Sequence, residues 1–229
     1  MDTVVAYMPS IIQGTLVTIS VAVASTLLAV LLGLLGAWAK LSKSAVAQGL
    51  GNAYTTLVRG IPDLVLMLLL FYGGQQLLNQ LGEATGLWGY IEIHHFTAGV
   101  FTIGFIFGAY MTETFRGAFL SIPKGQVEAG VACGMGPALV FARIIWPQLV
   151  RYALPSFGNN WLVLLKTTAL VSVLGLQELV YNAFTAGRST RQLFTFMFVA
   201  LVMYLVLTAI SDVGLRWLDR KYSAGVRRA

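Results

Sequence analysis

Five stretches of this chain are apolar over the length of a bilayer crossing, and the segments between them collect most of its charges. Ile11 to Ala39 carries no charged residue at all. Leu64 to Gly82, Thr97 to Phe115, Pro155 to Leu176 and Leu193 to Ser211 complete the set. A helix needs about 20 apolar residues to cross the hydrocarbon core, so each stretch predicts one span, the first of them tilted. Helix is the required form, because the bilayer offers no water to satisfy an open backbone. The pattern predicts an all-α integral membrane protein of five transmembrane helices. No internal repeat, linker or low-complexity segment divides residues 1–229, which are read as a single transmembrane domain.

Composition narrows the class further. The chain is 57% hydrophobic and 10% charged, with mean hydropathy +0.77. A soluble domain carries about a quarter charged residues, so this chain has too few to cover a wet surface. The net charge of +6 forms no basic face of the kind nucleic acid requires, because Lys and Arg sit at the ends of the apolar runs. Lys40 and Lys43 follow the first span, Arg116, Lys124, Arg143 and Arg151 lie between the third and fourth, and Arg216, Arg220, Lys221, Arg227 and Arg228 follow the fifth. The opposite side holds Asp2, Glu83 and Glu92, with Arg188 and Arg191 dissenting. Positive loops stay in the cytoplasm, which places the N-terminus outside and the C-terminus inside. The N-terminus lacks a basic flank and its apolar run outlasts a signal peptide, so the first span is expected to remain. The single cysteine, Cys133, excludes an internal disulfide and reads as a small apolar filler.

The longest connection, Gly117 to Leu154, falls on the cytoplasmic side. Within 123–147 it carries Glu128-Ala129-Gly130, then Gly134, and finally Ile144 and Pro147. The spacing predicts a short helix, a glycine turn and a second short helix that Pro147 stops. Such a pair can lie on the membrane surface, where small side chains allow a partner protein to approach and Glu128 offers it a carboxylate.

These residues resemble the EAA loop, the signature of the membrane subunits of binding-protein-dependent ABC importers. Gly130 stands where that pattern has a second alanine and Trp146 where leucine is common, both mild departures. Further stretches are similar to the polar amino-acid branch of the family, especially the Q-type subunits of histidine and lysine/arginine/ornithine importers. They are Gln13-Gly14-Thr15, Tyr54 to Pro62, Glu113-x-x-Arg116-Gly117-Ala118, Leu164 to Leu170 and the tail Tyr222-Ser223-x-Gly225-Val226. Several motifs in register are far more specific than any one. The resemblance implies the type I importer permease fold, with 123–147 forming coupling helices docked on an ATPase. It also implies two ATPase subunits, a second homologous permease making a heterodimer, a periplasmic amino-acid-binding protein and a bacterial inner-membrane location. This chain has no phosphate-cradling Gly-x4-Gly-Lys-Ser/Thr loop, so ATP and Mg belong to the partner ATPase and no cofactor is expected here.

Ionisable groups within spans are costly and face a partner or a cavity. Glu113 and Arg116 share a helix face and suit a local ion pair, with gating the alternative. Arg59 and Asp63 flank Pro62 and suit a similar anchor at a helix break, with contact to the coupling region the alternative. Lys166, in mid-span, calls for a structural partner such as a carbonyl at a helix break, ahead of substrate contact. Asn160 and Thr167 lie on one face two turns apart. In relatives carrying basic amino acids the resemblance leads one to expect acids near these positions. Their neutrality means either that substrate contact falls to the second subunit or that this one offers only hydrogen bonds, with a bond from Asn160 to a neighbouring helix as the plain alternative. Glu178 reads as a solvated loop acid, with a meeting point for a cationic substrate as the alternative. His94 and His95, adjacent in sequence, diverge on a helix and make no metal site. Gly33, Gly36 and Ala37 allow close helix approach, within the subunit or across a dimer.

Two other classes compete. A secondary transporter or channel, needing no ATP, predicts inverted repeats or a ring of intramembrane acids. An intramembrane enzyme requires a nucleophile–base pair or a metal cluster within the spans. The sequence displays neither constellation.

Overall fold

A computed structural model describes residues 2–223 of the chain, all helix and connecting turns. Helix α1 covers Asp2–Leu41, and α2, Ala45–Gly60, lies beside it. The second span is assembled from α3 (Asp63–Leu68), a π-helical turn (Leu69–Gly73) and α4 (Gly74–Thr85). Helix α5 (His95–Leu120) is followed by the short α6 (Lys124–Ala132). Helix α7 (Pro137–Val140), a π-helical turn (Phe141–Ile145), α8 (Trp146–Thr167) and a 3-10 segment (Thr168–Leu174) then run on continuously. Helices α9 (Leu179–Thr190) and α10 (Leu193–Ser223) end the chain. Five of these helical runs are long and apolar enough to cross a membrane, as the hydropathy predicts: Thr3–Leu41, Asp63–Thr85, His95–Leu120, Pro137–Leu174 and Leu193–Tyr222. Arg227, Arg228 and the tail beyond Ser223 lie outside the described residues.

The bundle is organised around α1 and α5, which pack along most of their length. Glycine makes this approach possible. A Cβ on Gly33 would collide with the Met111 side chain and come within 3.0 Å of the Met111 carbonyl carbon. One on Gly36 would collide with Thr112. Gly33 and Gly36 therefore serve packing within the subunit, one of the two readings left by the sequence. Without a hydrophobic drive between helices in lipid, close backbone approach is what holds them. Gly33→Leu is accordingly expected to part α1 from α5 and to remove most folded protein from a fluorescence-detected gel-filtration profile. Helix α8 packs on α5 and α10, while α9 bridges α1 and α10. The outer faces of α3–α4 and α10 are mostly uncovered.

The fourth span departs from the expectation. Pro147 does not stop a helix, and the helix that carries Pro155 begins well before it. The π-helical turn ahead of Trp146 already breaks the regular bonding, so Pro147 falls in the first turn of α8, where its missing N–H is not required. Pro155 lies inside α8, within one continuous run from Pro137 to Leu174. Helices α2 and α9, absent from the hydropathy reading, are short and amphipathic. Ser44 caps α2 by accepting from the Ala47 amide, a typical N-cap residue doing its usual task.

Candidate functional site: the α6 turn and the charged groups of the bundle

The α6 segment ends in a glycine turn of defined geometry. The Met135 amide donates to the Gly130 carbonyl at 3.1 Å and the Gly134 amide to the Val131 carbonyl at 2.9 Å. Gly134 takes φ +79°, the left-handed conformation that closes such a C-terminal motif and that a side chain disfavours. Gly130 is buried against Ile144, whose δ-methyl would lie 2.5 Å from an added Cβ. That atom is the far end of a flexible side chain, so an alanine here would need only Ile144 to turn aside. This explains why the departure from the alanine of the EAA pattern is mild. Glu128 and Ala129 are exposed, as is Pro147, and Val131 is 60% exposed. Cys133 is exposed at the helix end and fills nothing, which corrects its reading as an apolar filler. Gly130, Gly134 and Ile144 thus build the turn, while Glu128 and Ala129 stand on its open face.

The intramembrane charges form one real cluster. Lys40 Nζ pairs with Glu113 at 2.5 Å and donates to Thr55 Oγ1 at 2.8 Å. The other Glu113 oxygen accepts from Arg116 at 2.9 Å. Helices α1 and α5 therefore meet at one carboxylate, and α2 joins them through the Thr55 hydroxyl on Lys40. The expected Glu113–Arg116 pair is present, and Lys40 is the member that sequence spacing could not supply. Arg59 and Asp63 do not pair; the Arg59 guanidinium instead stands 5.5 Å from the centre of the Tyr110 ring. Pro62 explains the failure, since it ends α2 and holds an extended corner, so the two residues never share a helix. Arg59, Tyr110 and Glu113 line two adjoining polar cavities of about 470 and 490 Å³, the second reaching Asn159 and Asn160.

Residues 29–224 match the family described as "Binding-protein-dependent transport system inner membrane component". The chain belongs to this family. It is 53% identical over 219 residues to the histidine/lysine/arginine/ornithine transport system permease protein HisQ of Escherichia coli (strain K12), covering 96% of each chain. The octopine transport system permease protein OccQ of Rhizobium meliloti is 41% identical over 217 residues, covering 95% of this chain and 92% of that one. A crystal structure of an amino acid ABC transporter with histidines superimposes with TM-score 0.81 at 30% identity, covering 95% of this chain and 96% of the other.

Within this permease, the remaining candidates separate into buried and open groups. Asn160 is half-buried and donates to Thr114 Oγ1 at 3.0 Å, the neighbouring-helix bond that was one of its open readings. Thr167 donates to its own helix at the Val163 carbonyl, 3.0 Å away. Lys166 is exposed and has no hydrogen-bond or ion-pair partner among the described residues, so the expected structural carbonyl is missing.

Glu178 is the largest correction. It is 1% exposed, not a solvated loop acid. Its carboxylate accepts from the Tyr181 amide at 2.8 Å, capping α9, and from Thr18 Oγ1 at 3.1 Å and the Tyr204 hydroxyl at 3.4 Å. The Leu179 amide completes the junction by donating to Thr18. Gly14 makes room: a Cβ there would lie 2.9 Å from the Glu178 carbonyl carbon and oxygen. The Gln13-Gly14-Thr15 motif thus seats α1 on the start of α9. Sequence reasoning missed this because the partners lie some 160 positions away. Burial pushes the Glu178 carboxyl above its usual range, outweighing the hydrogen bonds that favour its charged form. A raised carboxyl contributes stability fully at low pH and loses it as pH rises from the ordinary carboxylate range through the raised value. Glu178→Gln should therefore keep the cap and flatten this pH dependence. Glu178→Ala should cost about 1–3 kcal/mol by stranding buried donors, read as a lower unfolding midpoint in detergent.

Proposed function

We propose that this chain is one half of the membrane channel of an ATP-driven, binding-protein-dependent importer of polar, basic amino acids such as histidine, lysine, arginine and ornithine. The observation that carries the reading is the closed glycine turn at Gly134, which presents Glu128 and Ala129 on an open face next to the continuous fourth span. Support comes from the HisQ relative over nearly the whole chain. In this reading segment 123–147 is the coupling element. It faces the cytoplasm, the N-terminus lies outside and the C-terminus inside, as the distribution of Lys and Arg favours.

The chain itself carries transport and not catalysis. Two ATPase subunits bind ATP and Mg and hydrolyse the nucleotide. A second, homologous permease completes the channel, and a periplasmic binding protein delivers the amino acid at the bacterial inner membrane. Closure of the ATPase pair pushes α6, and because the helical run that leads into α8 starts at Pro137, directly after the turn, the push reaches α8 along one continuous run. Movement of a rigid helix is an economical way to carry a small displacement across a bilayer.

The test is to tag the chain in its native host, extract it in mild detergent and identify what accompanies it. Recovery of an ATPase with a second, similar membrane protein is the expected result. Recovery without an ATPase, from several mild detergents, would contradict the assignment.

A further inference from the structure

A cleft of about 690 Å³ runs between α8 and α10, away from the Lys40–Glu113 cluster, beside the N-terminal part of the one helix and the C-terminal part of the other. Its α8 wall is graded. Arg151 stands first, and Leu154, Gly158 and Leu162 follow on the same face, because residues three or four apart stack along a helix. From Arg151 to Leu162 is about 16 Å at the helical rise per residue. A Cβ on Gly158 would come 3.3 Å from a Leu215 methyl, so the two helices meet closely there and give the cleft an apolar floor.

The α10 wall brings Asp212, Arg216 and Asp219. Arg216 pairs with Asp212 one turn away, so those two charges compensate each other. Arg151 has no ion-pair partner among the described residues; its guanidinium stands 5.7 Å from the centre of the Tyr152 ring. The cleft therefore offers a guanidinium, the Asp219 carboxylate and a length of aliphatic wall. A soluble phosphoester has no use for the wall, and a lipid tail has none for the charges. An amphiphile uses both, and basic pockets between spans are known to hold lipid headgroups.

The charges select among headgroups. The planar fork of an arginine binds phosphate through paired N–H donors. An anionic lipid would satisfy Arg151 but bring a net negative charge beside Asp219. A choline headgroup carries its cation without N–H donors and cannot hydrogen-bond that carboxylate. An ethanolamine headgroup supplies a phosphate and a donating ammonium together. A carboxylate has room for more than one donor, as Glu113 shows by accepting from Lys40 and Arg116.

We propose that the α8–α10 cleft binds one molecule of phosphatidylethanolamine, with its phosphate on Arg151, its ammonium on Asp219 and its acyl chains along Leu154, Leu162 and Leu215. The site stands on the cleft of this chain and not on the importer reading. Arg151 is half-buried, so solvent screens its contact and the selectivity is modest.

The protein is extracted from its native host with the subunits that accompany it, stripped of lipid, and titrated with dioleoyl phosphatidylethanolamine, phosphatidylglycerol and phosphatidylcholine. Bound lipid is counted by native mass spectrometry. The expected result is one ethanolamine lipid per copy of this chain that depends on Arg151, held about fivefold more tightly than the other two, the upper range for a partly exposed pair. Arg151→Met should remove this preference and Arg151→Lys should keep part of it. Asp219→Asn should bring the ethanolamine lipid to the level of the glycerol lipid, while Arg188→Met on α9 should change nothing. Equal retention of the three lipids by the wild type overturns the proposal, as does a preference that Arg151→Met leaves intact. Glycerophosphoethanolamine, the headgroup without tails, should fail to displace the lipid at millimolar concentration; full displacement would assign the cleft to a soluble phosphoester instead. Should Arg151→Met fail to assemble, Asp219→Asn decides, and unchanged selectivity in that variant overturns the proposal.

Discussion

Gly134→Val is expected to reduce ATP-driven uptake at least about tenfold while the five spans stay folded. A branched residue at φ +79° costs on the order of 1–3 kcal/mol of backbone strain. Nothing lies within 4 Å of a Cβ at this position, so the penalty is conformational and not a clash. Relief of that strain opens the bonds from Met135 to Gly130 and from Gly134 to Val131, and α6 then leaves its setting against α7 and Ile144. A graded series separates this cause from simple bulk. Asparagine tolerates the left-handed region better than alanine or valine, so transport should fall in the order Gly, Asn, Ala, Val despite the larger volume of asparagine over alanine. Uptake by the Val variant at the wild-type rate, with the ATPase still bound, would remove the coupling assignment from this turn.

Glu113→Ala should be the most damaging single change among the charged residues. Its carboxylate holds Lys40 and Arg116 at once, and the Lys40 side chain is only 12% exposed. Removing one member of a fully buried pair costs about 3–5 kcal/mol, and this half-buried pair should lose somewhat less. Arg116 is 36% exposed and can turn to water, so most of the loss is assigned to Lys40. Thr55 would be left as the only polar contact of that ammonium among the described residues, and α2 would lose its hold on the bundle. The double variant Lys40→Met/Glu113→Met removes both charges at similar volume and should recover much of the unfolding midpoint, because no charge is then stranded. Equal damage in the single and double variants would show that the pair contributes through something other than its charges.

The sequence and the structure agree where a signal is local. Long uncharged runs have one stable form in a bilayer, so five spans followed from hydropathy alone. The glycine turn at 134 was legible for a similar reason, since glycine beside Gly136 and Pro137 leaves few other conformations. The Glu113–Arg116 pair was legible from a spacing of three on one helix. What stayed hidden depends on contacts between distant segments. Lys40 reaches Glu113 and Thr18 reaches Glu178 only after α1 has packed on α5 and α9, and nothing in the local pattern announces either contact. The two prolines misled for a different reason. Pro147 and Pro155 look like helix ends, but a π-helical turn precedes the first and the second is accommodated inside a long helix. Arg59 and Asp63 misled because a spacing of four means proximity only within one helix, and Pro62 divides them between two.

The most direct test is uptake by the complete transporter in proteoliposomes, with binding protein and labelled L-arginine or L-histidine outside and ATP within. The account predicts accumulation that needs both the ATP and the binding protein, and that Glu128→Arg abolishes without releasing the spans from the membrane. Accumulation that proceeds without ATP, driven by an ion gradient alone, would contradict it.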